Sequence, residues 1–295
     1  MLDTVRLGVS CDVAIGALAG RGWACYERRK GEDWDVWAKT EGPGGARVSY
    51  MAGVGWLACE VSLPELMLGD NALLLGWAGV QEGLERVREL SCDAVGVTLP
   101  VVGEWRLSRA DSVWAWPVEP AYYVGALRWA RLPRTEPRSY EGSVSWLTRS
   151  GRIRGRGYDK RRETGRDVEL PFRLERQTRP RKEVVRVDGE RFPVEVKELS
   201  EGQVLGLLGG TMHALGLDAP IPGPGDARRR LVETHGARRG RNLYRVLCEA
   251  VELGGWPSDV PASTRRRYQA QLAAAGIRSL SWDGELPPLE LPTGG

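Results

Sequence analysis

Tyr158 stands in the run Gly155-Arg156-Gly157-Tyr158-Asp159-Lys160-Arg161-Arg162-Glu163, a single tyrosine amid basic side chains. Further on, Phe172-Arg173-Leu174-Glu175-Arg176 sets one carboxylate among arginines. This combination suits chemistry on a phosphodiester. A tyrosine hydroxyl can attack phosphorus, lysine and arginine can neutralise the phosphate, and carboxylates can hold a divalent metal. In a strand over 152–160, period-two geometry places Arg152, Arg154, Arg156, Tyr158 and Lys160 on one face, with Ile153, Gly155 and Gly157 on the other. Such a row of cations would bind a phosphate backbone and favour tyrosinate over its ordinary pKa of about 10. The same pattern also describes an amphipathic tyrosine at a solvated edge.

The carboxylates form the second part of the candidate site. Glu175 shares a strand face with Arg173, Gln177 and Arg179, opposite Phe172 and Leu174. Glu60 falls on the polar face of a strand over 53–63, and Asp111 lies in Leu107-Ser108-Arg109-Ala110-Asp111 on a tryptophan-rich strand. Three lone carboxylates on three strands could converge on one hard cation such as Mg²⁺ or Mn²⁺, or could be ordinary surface charge. The only histidines, His213 and His235, are twenty-two residues apart. That spacing excludes a histidine-x-histidine metal site, so a metal here would need oxygen ligands. No Gly-x-x-x-x-Gly-Lys-Ser/Thr loop occurs, so the chain is not expected to power a helicase.

Positioning these residues calls for an α+β architecture. Strands are expected over 2–9, 53–63, 105–116 and 171–179, with a hairpin of 143–149 and 152–160 around Ser150-Gly151. Pro64 is expected to end the second strand, and helical spacing follows over 79–90. The proline-rich stretch 131–138 reads as a loop. The last third turns helical: 198–215, 226–233, 242–253, and 264–275 with Ser263 as cap and Gly276 as stop. The proline- and glycine-rich tail after Trp282 reads as loose. The expected division is a strand-rich catalytic body with an antiparallel sheet and flanking helices over 1–193, and a small helical DNA-binding or accessory domain over 194–295.

With 295 residues, 42% hydrophobic and 27% charged, the chain can bury an ordinary globular core. No apolar run reaches the roughly 18–20 residues of a membrane helix, and no signal-peptide pattern opens the sequence. Cys11, Cys25, Cys59, Cys92 and Cys248 are scattered, which argues for reduced thiols and against zinc or a disulfide framework. The total charge of +3 hides a basic belt: Arg149–Arg186 carries 14 Lys/Arg against six Asp/Glu, a local +8 that leaves −5 for the rest. Such a belt is the footprint of a polyanion partner or a solvated charged face. The 12 tryptophans could stack bases in a general single-strand or RNA-binding protein, or serve as core.

Four blocks, in order, resemble the replication initiators of filamentous phages (the gene II/X type) and their rolling-circle plasmid relatives. They are Met1–Leu7; Glu60-Val61-Ser62-Leu63-Pro64-Glu65-Leu66-Met67-Leu68-Gly69-Asp70-Asn71; Arg109-Ala110-Asp111; and Tyr158-Asp159-Lys160 with Arg173-Leu174-Glu175. The second is similar to a hallmark Glu-x-Ser-Leu-Pro-Lys-Leu-Leu-x-Gly-Asn-Asn, from which Glu65 and Asp70 depart. The stretch Ser263-Thr264-Arg265-Arg266-Arg267-Tyr268 is similar to the family's C-terminal helix.

The resemblance implies metal-dependent nicking of one strand at a replication origin through a covalent 5′-phosphotyrosine, followed by religation. Tyr158 would be the nucleophile, Lys160 a phosphate or leaving-group contact, and Glu60, Asp111 and Glu175 ligands of Mg²⁺ or Mn²⁺. Arg152, Arg154, Arg156 and Arg173, or Arg265, Arg266 and Arg267, would contact DNA. Expected partners are double-stranded origin DNA and single-stranded DNA, with a host helicase and polymerase, in the cytoplasm of a bacterial host and without a membrane. A homodimer is expected only on general grounds. The alternative is a non-catalytic DNA-binding regulator of replication on the same scaffold.

Overall fold

Alternating apolar and polar residues in the first ten positions form β1 (Leu2–Ser10), which buries Leu2, Val5, Leu7 and Val9 and leaves Arg6 exposed. The computed structural model describes residues 1–28, 35–39, 42–253, 256–257 and 259–292. The chain forms two compact units, one of Met1–Val113 with Gln177–Leu207, the other of Trp114–Arg176 with residues 208–292. These units interleave along the chain, whereas the expected division was a single cut after residue 193. The fold is α+β, as expected.

In the first unit β1 is joined by β2 (Ala24–Arg28), β3 (Asp35–Lys39), β4 (Arg47–Met51), β5 (Trp56–Ser62) and β6 (Arg106–Trp116), whose last three residues belong to the second unit. The order is β2-β3-β4-β5-β1-β6 and the neighbouring strands pair antiparallel, with Arg47 opposite Glu60 and Arg6 opposite both Glu60 and Arg109. Three helices accompany this sheet: α1 (Ile15–Gly20), α2 (Leu63–Leu68) and α3 (Trp77–Val95). Val80, Leu84, Val87 and Ser91 recur at helical spacing on α3 and are buried, while Trp23 Nε1 donates to the Ala94 carbonyl at 3.0 Å. Strands β2 to β4 were not legible in the sequence, since each spans only five residues and gives a short periodic signal. Pro64 does more than end β5: it occupies the first turn of α2, where its missing N–H costs nothing.

In the second unit β7 (Glu136–Tyr140), β8 (Ser143–Leu147), β9 (Ile153–Asp159) and β10 (Phe172–Thr178) run antiparallel in the order β10-β9-β8-β7. The edge strand β7 lies in the expected loop around 131–138; Pro137 is tolerated at an edge. One sheet face packs on α4 (Pro120–Leu127) in a core that includes Phe172, Leu174, Val144, Trp146 and Tyr123. Gly155 and Gly157 turn to this face. A Cβ on Gly155 would stand 2.8 Å from Leu132, and one on Gly157 would stand 3.2 Å from Leu127, so both glycines admit neighbours that any side chain would push away.

A short helix, α5 (Lys160–Thr164), separates β9 from β10. The later helices are α6 (Glu201–Leu215), α7 (Pro224–His235), α8 (Ala237–Glu252) and α9 (Ala262–Ala274). The last three gather around Leu231, Leu243, Leu247 and Leu272. Gly240 lets α8 meet α7 backbone to backbone, since a Cβ there would lie 2.5 Å from the Leu231 carbonyl oxygen. The expected Ser263 cap is absent: α9 is preceded by Pro261 and has no side-chain cap. Nor is the described part of the tail, up to residue 292, loose. Ile221 pairs with Leu286, Trp116 donates to the Glu290 carbonyl at 2.7 Å, and Tyr123 donates to the Pro287 carbonyl at 3.0 Å.

Candidate active site and arginine-rich faces

Register places Arg173 opposite Tyr158 and Glu175 opposite Arg156, so β9 and β10 present these four side chains on one face. The Tyr158 hydroxyl donates to Glu175 Oε1 at 2.5 Å, and the Arg156 guanidinium lies 4.2 Å from the centre of the tyrosine ring. Arg156 also donates to Glu163 at 2.7 Å. Tyr158 is 1% exposed. Burial, and then the charge of Glu175, push its pKa above the ordinary tyrosine value despite the opposing pull of Arg173. The expectation of a tyrosinate favoured by the surrounding cations is therefore corrected, because lost hydration outweighs their attraction.

Lys160 is not a strand residue; it opens α5, 2% exposed, with Nζ donating to Glu163 Oε2 at 2.7 Å. Asp159 caps this helix by accepting from the Arg161 backbone N–H at 2.9 Å. Burial alone would raise the Glu163 pKa, but Lys160 and Arg156 together pull it below the usual carboxylate value. Lys160 Nζ stands 5.9 Å from the Tyr158 ring centre.

The other two candidate ligands belong to the first unit. Arg109 joins them: it donates to Glu60 Oε1 at 2.5 Å and to Asp111 Oδ2 at 2.5 Å and Oδ1 at 3.0 Å. Burial raises the Asp111 pKa against the pull of Arg109. Carboxylate oxygens have the right chemistry for Mg²⁺ or Mn²⁺, but the arrangement does not form a cage. Among the described residues no three His, Cys, Asp or Glu side chains come together, and a guanidinium already bridges Glu60 and Asp111. The sequence block Arg109-Ala110-Asp111 carried no role for Arg109, although its place two residues before Asp111 puts both on one strand face.

Of the candidate DNA contacts, Arg173 is fully buried opposite Tyr158. Arg152, Arg154 and Arg156 are half-buried, and Arg266 and Arg267 on α9 are exposed. Arg265 donates to the Val260 carbonyl at 2.6 Å, and Arg267 lies over the Tyr268 ring. Both histidines make local contacts, His213 with Asp218 and His235 with the Gln271 carbonyl. Cys11, Cys59, Cys92 and Cys248 are free; the Cys25 side chain lies outside the described set. Among the described residues no helix is long and apolar enough to cross a membrane.

No protein-family model and no curated protein matches the chain. Among solved structures, a rolling circle replication initiator protein from Geobacillus stearothermophilus is similar at 14% identity and a TM-score of 0.33, over 61% of this chain and 73% of that one. A TBP from Methanococcus jannaschii is similar at 10% identity and a TM-score of 0.31, over 72% of this chain and 95% of that one.

Proposed function

We propose that this protein is a rolling-circle replication initiator that nicks one DNA strand with Tyr158. The observation that carries this reading is the 2.5 Å hydrogen bond from Tyr158 to Glu175, flanked by Arg156. A phenol joined to a carboxylate and bordered by guanidinium has the parts of a nucleophile, its base and a phosphate clamp. In the reaction Glu175 takes the phenolic proton as Tyr158 Oη bonds to phosphorus. The bond from phosphorus to the 3′ oxygen breaks, and that oxygen leaves as a hydroxyl protonated from solvent. The reverse attack by a 3′-hydroxyl religates the strand. Because Tyr158 is buried, the reaction requires its segment to open when origin DNA engages the arginine face.

In this reading nicking is assigned to residues 1–193 and DNA binding or an accessory role to 194–295. A host helicase and polymerase extend the freed 3′ end. The second reading, a non-cutting DNA-binding regulator, is favoured by two observations: Tyr158 is 1% exposed, and Arg109 neutralises Glu60 and Asp111.

The test is a nicking assay on supercoiled DNA carrying the gene and its flanks, in Mg²⁺ or Mn²⁺, comparing wild type with Tyr158→Phe. A denaturing gel detects protein joined to a 5′ end. Nicked circles and an adduct from wild type alone support the initiator. Specific binding without a nick in either metal supports the regulator. Cutting and linkage by Tyr158→Phe would move the nucleophile to Tyr140 or Tyr122, which are 54% and 45% exposed, ahead of the buried Tyr123.

A further inference from the structure

The second unit contains a cleft of about 920 Å³ lined by Arg131, Arg134, Arg149, Arg154, Arg266 and Arg278. A cavity of this size accommodates a compact ligand. The one carboxylate in its lining, Glu136, is paired with Arg131. Among the described residues Arg134, Arg149 and Arg266 are exposed and have no ion-pair partner. The cations strain against one another. Burial lowers the pKa of Arg131, with Arg265 and Arg266 adding to that effect, and burial, Arg152 and Arg134 lower that of Arg154.

The backbone adds a second observation. Arg134 adopts a φ of 61°, a left-handed conformation that only a few per cent of non-glycine residues take and that is held at a cost in strain. Exposed, mutually repelling guanidiniums are satisfied by phosphate oxygens.

We propose that this cleft binds the phosphate backbone of single-stranded nucleic acid. The arginines come from three separate segments, the stretch before β7, the β8–β9 hairpin and the α9 region. That spread suits successive phosphates along a chain better than the clustered phosphates of a free nucleotide. The only aromatic in the lining is buried, so no ring is offered for gripping a lone base. A cleft of this volume admits a few nucleotides of one strand and not a double helix.

This inference rests on the nucleic-acid reading of the protein but not on cutting. It is tested by fluorescence anisotropy with a labelled single-stranded oligonucleotide of mixed sequence, titrated at several salt concentrations. The variants are Arg134→Gln/Arg149→Gln and, as a charge-matched control on α3, Arg86→Gln/Arg88→Gln. The cleft pair is expected to weaken binding by about tenfold and to flatten the salt slope by about 1.4, or about 0.7 per lost phosphate contact. The control should change neither. Arg149→Gln alone, on an exposed turn that cannot endanger folding, should give about half the slope change.

Wild type that binds no DNA defeats the nucleic-acid reading and this inference together. DNA binding that the cleft pair leaves intact, or that both pairs weaken equally, overturns the cleft alone. Inorganic triphosphate and a duplex of the same sequence form the remaining arms. Tight triphosphate binding that depends on Arg134 and Arg149, without their effect on the oligonucleotide, would reassign the cleft to a free phosphate ligand. A loss confined to the duplex would also refute a single-strand site.

Discussion

Tyr158 on β9 donates its hydroxyl proton to Glu175 on β10 across a diagonal of the sheet, at 2.5 Å, in a setting where the tyrosine is almost fully buried. The pair gives Tyr158 a structural task beside any chemical one. Removing the hydroxyl takes one charge-assisted hydrogen bond from a half-buried carboxylate, so Tyr158→Phe should lower stability by about 1.5–3 kcal/mol, the worth of a hydrogen bond to a charged group. Glu175→Gln keeps an acceptor and should cost less. Urea denaturation of both variants reads the difference, and equal losses would contradict the pairing.

The raised Tyr158 pKa has a defined pH signature. A group whose folded pKa exceeds its unfolded value stabilises the fold fully below the unfolded value and loses that contribution as pH rises towards the folded one. Stability should therefore begin to fall above about pH 10, and Tyr158→Phe should remove that part of the decline. Alkaline melting curves of the two proteins, run in parallel, check this.

Lys160 is buried against Glu163. Taking away the partner leaves a buried cation, whereas replacing the cation with an apolar side chain does not. Glu163→Gln is expected to destabilise by about 3 kcal/mol, and Lys160→Met by clearly less. Because the Glu163 pKa is lowered, the pair's contribution is present above the ordinary glutamate value of about 4.3 and is lost as pH falls below it. Chemical denaturation at neutral and acid pH reads both effects. A costlier Lys160→Met would show that the amine is needed for more than pairing.

Arg109 acts as the cation for Glu60 and Asp111. Arg109→Gln takes the guanidinium from buried Asp111 and leaves Glu60 with the longer 3.8 Å contact to Arg6, and should lower stability at neutral pH by about 1–3 kcal/mol, allowing for partial exposure. In the absence of DNA, millimolar Mn²⁺ should leave the wild-type melting temperature unchanged and raise that of Arg109→Gln. A wild-type shift would mean that the carboxylates release Arg109 to take a metal.

The C-terminal tail is part of the second core. Leu289 is buried, and its N–H donates to the Leu217 carbonyl at 2.7 Å. Leu289→Ala should cost about 2–4 kcal/mol, measured as a shift in urea midpoint. A shift near zero would return the tail to the loose state its composition suggests.

Much of the scaffold was legible in the residues alone. Period-two alternation located β1, β5, β6, β8, β9 and β10, and helical spacing located α3 and the helices of the last third, because each signal is written within a few residues. The same periodicity put Arg156 and Tyr158 on one strand face and Arg173 and Glu175 on another. What periodicity cannot supply is the environment of a face. Tyr158 and Arg173 look like solvent-facing members of a basic row, yet both are buried, because burial depends on what distant chain segments cover.

Pairings between strands are likewise nonlocal. Arg109 reaches Glu60 across forty-nine positions, and Arg131, Arg149 and Arg266 line one cleft from three remote segments. Local sequence determined which residues alternate, which turns form and where positive charge concentrates. Only the tertiary structure decided which charges are paired, which are desolvated and which face one another without a counterion, since those depend on distances through space that no spacing along the chain encodes.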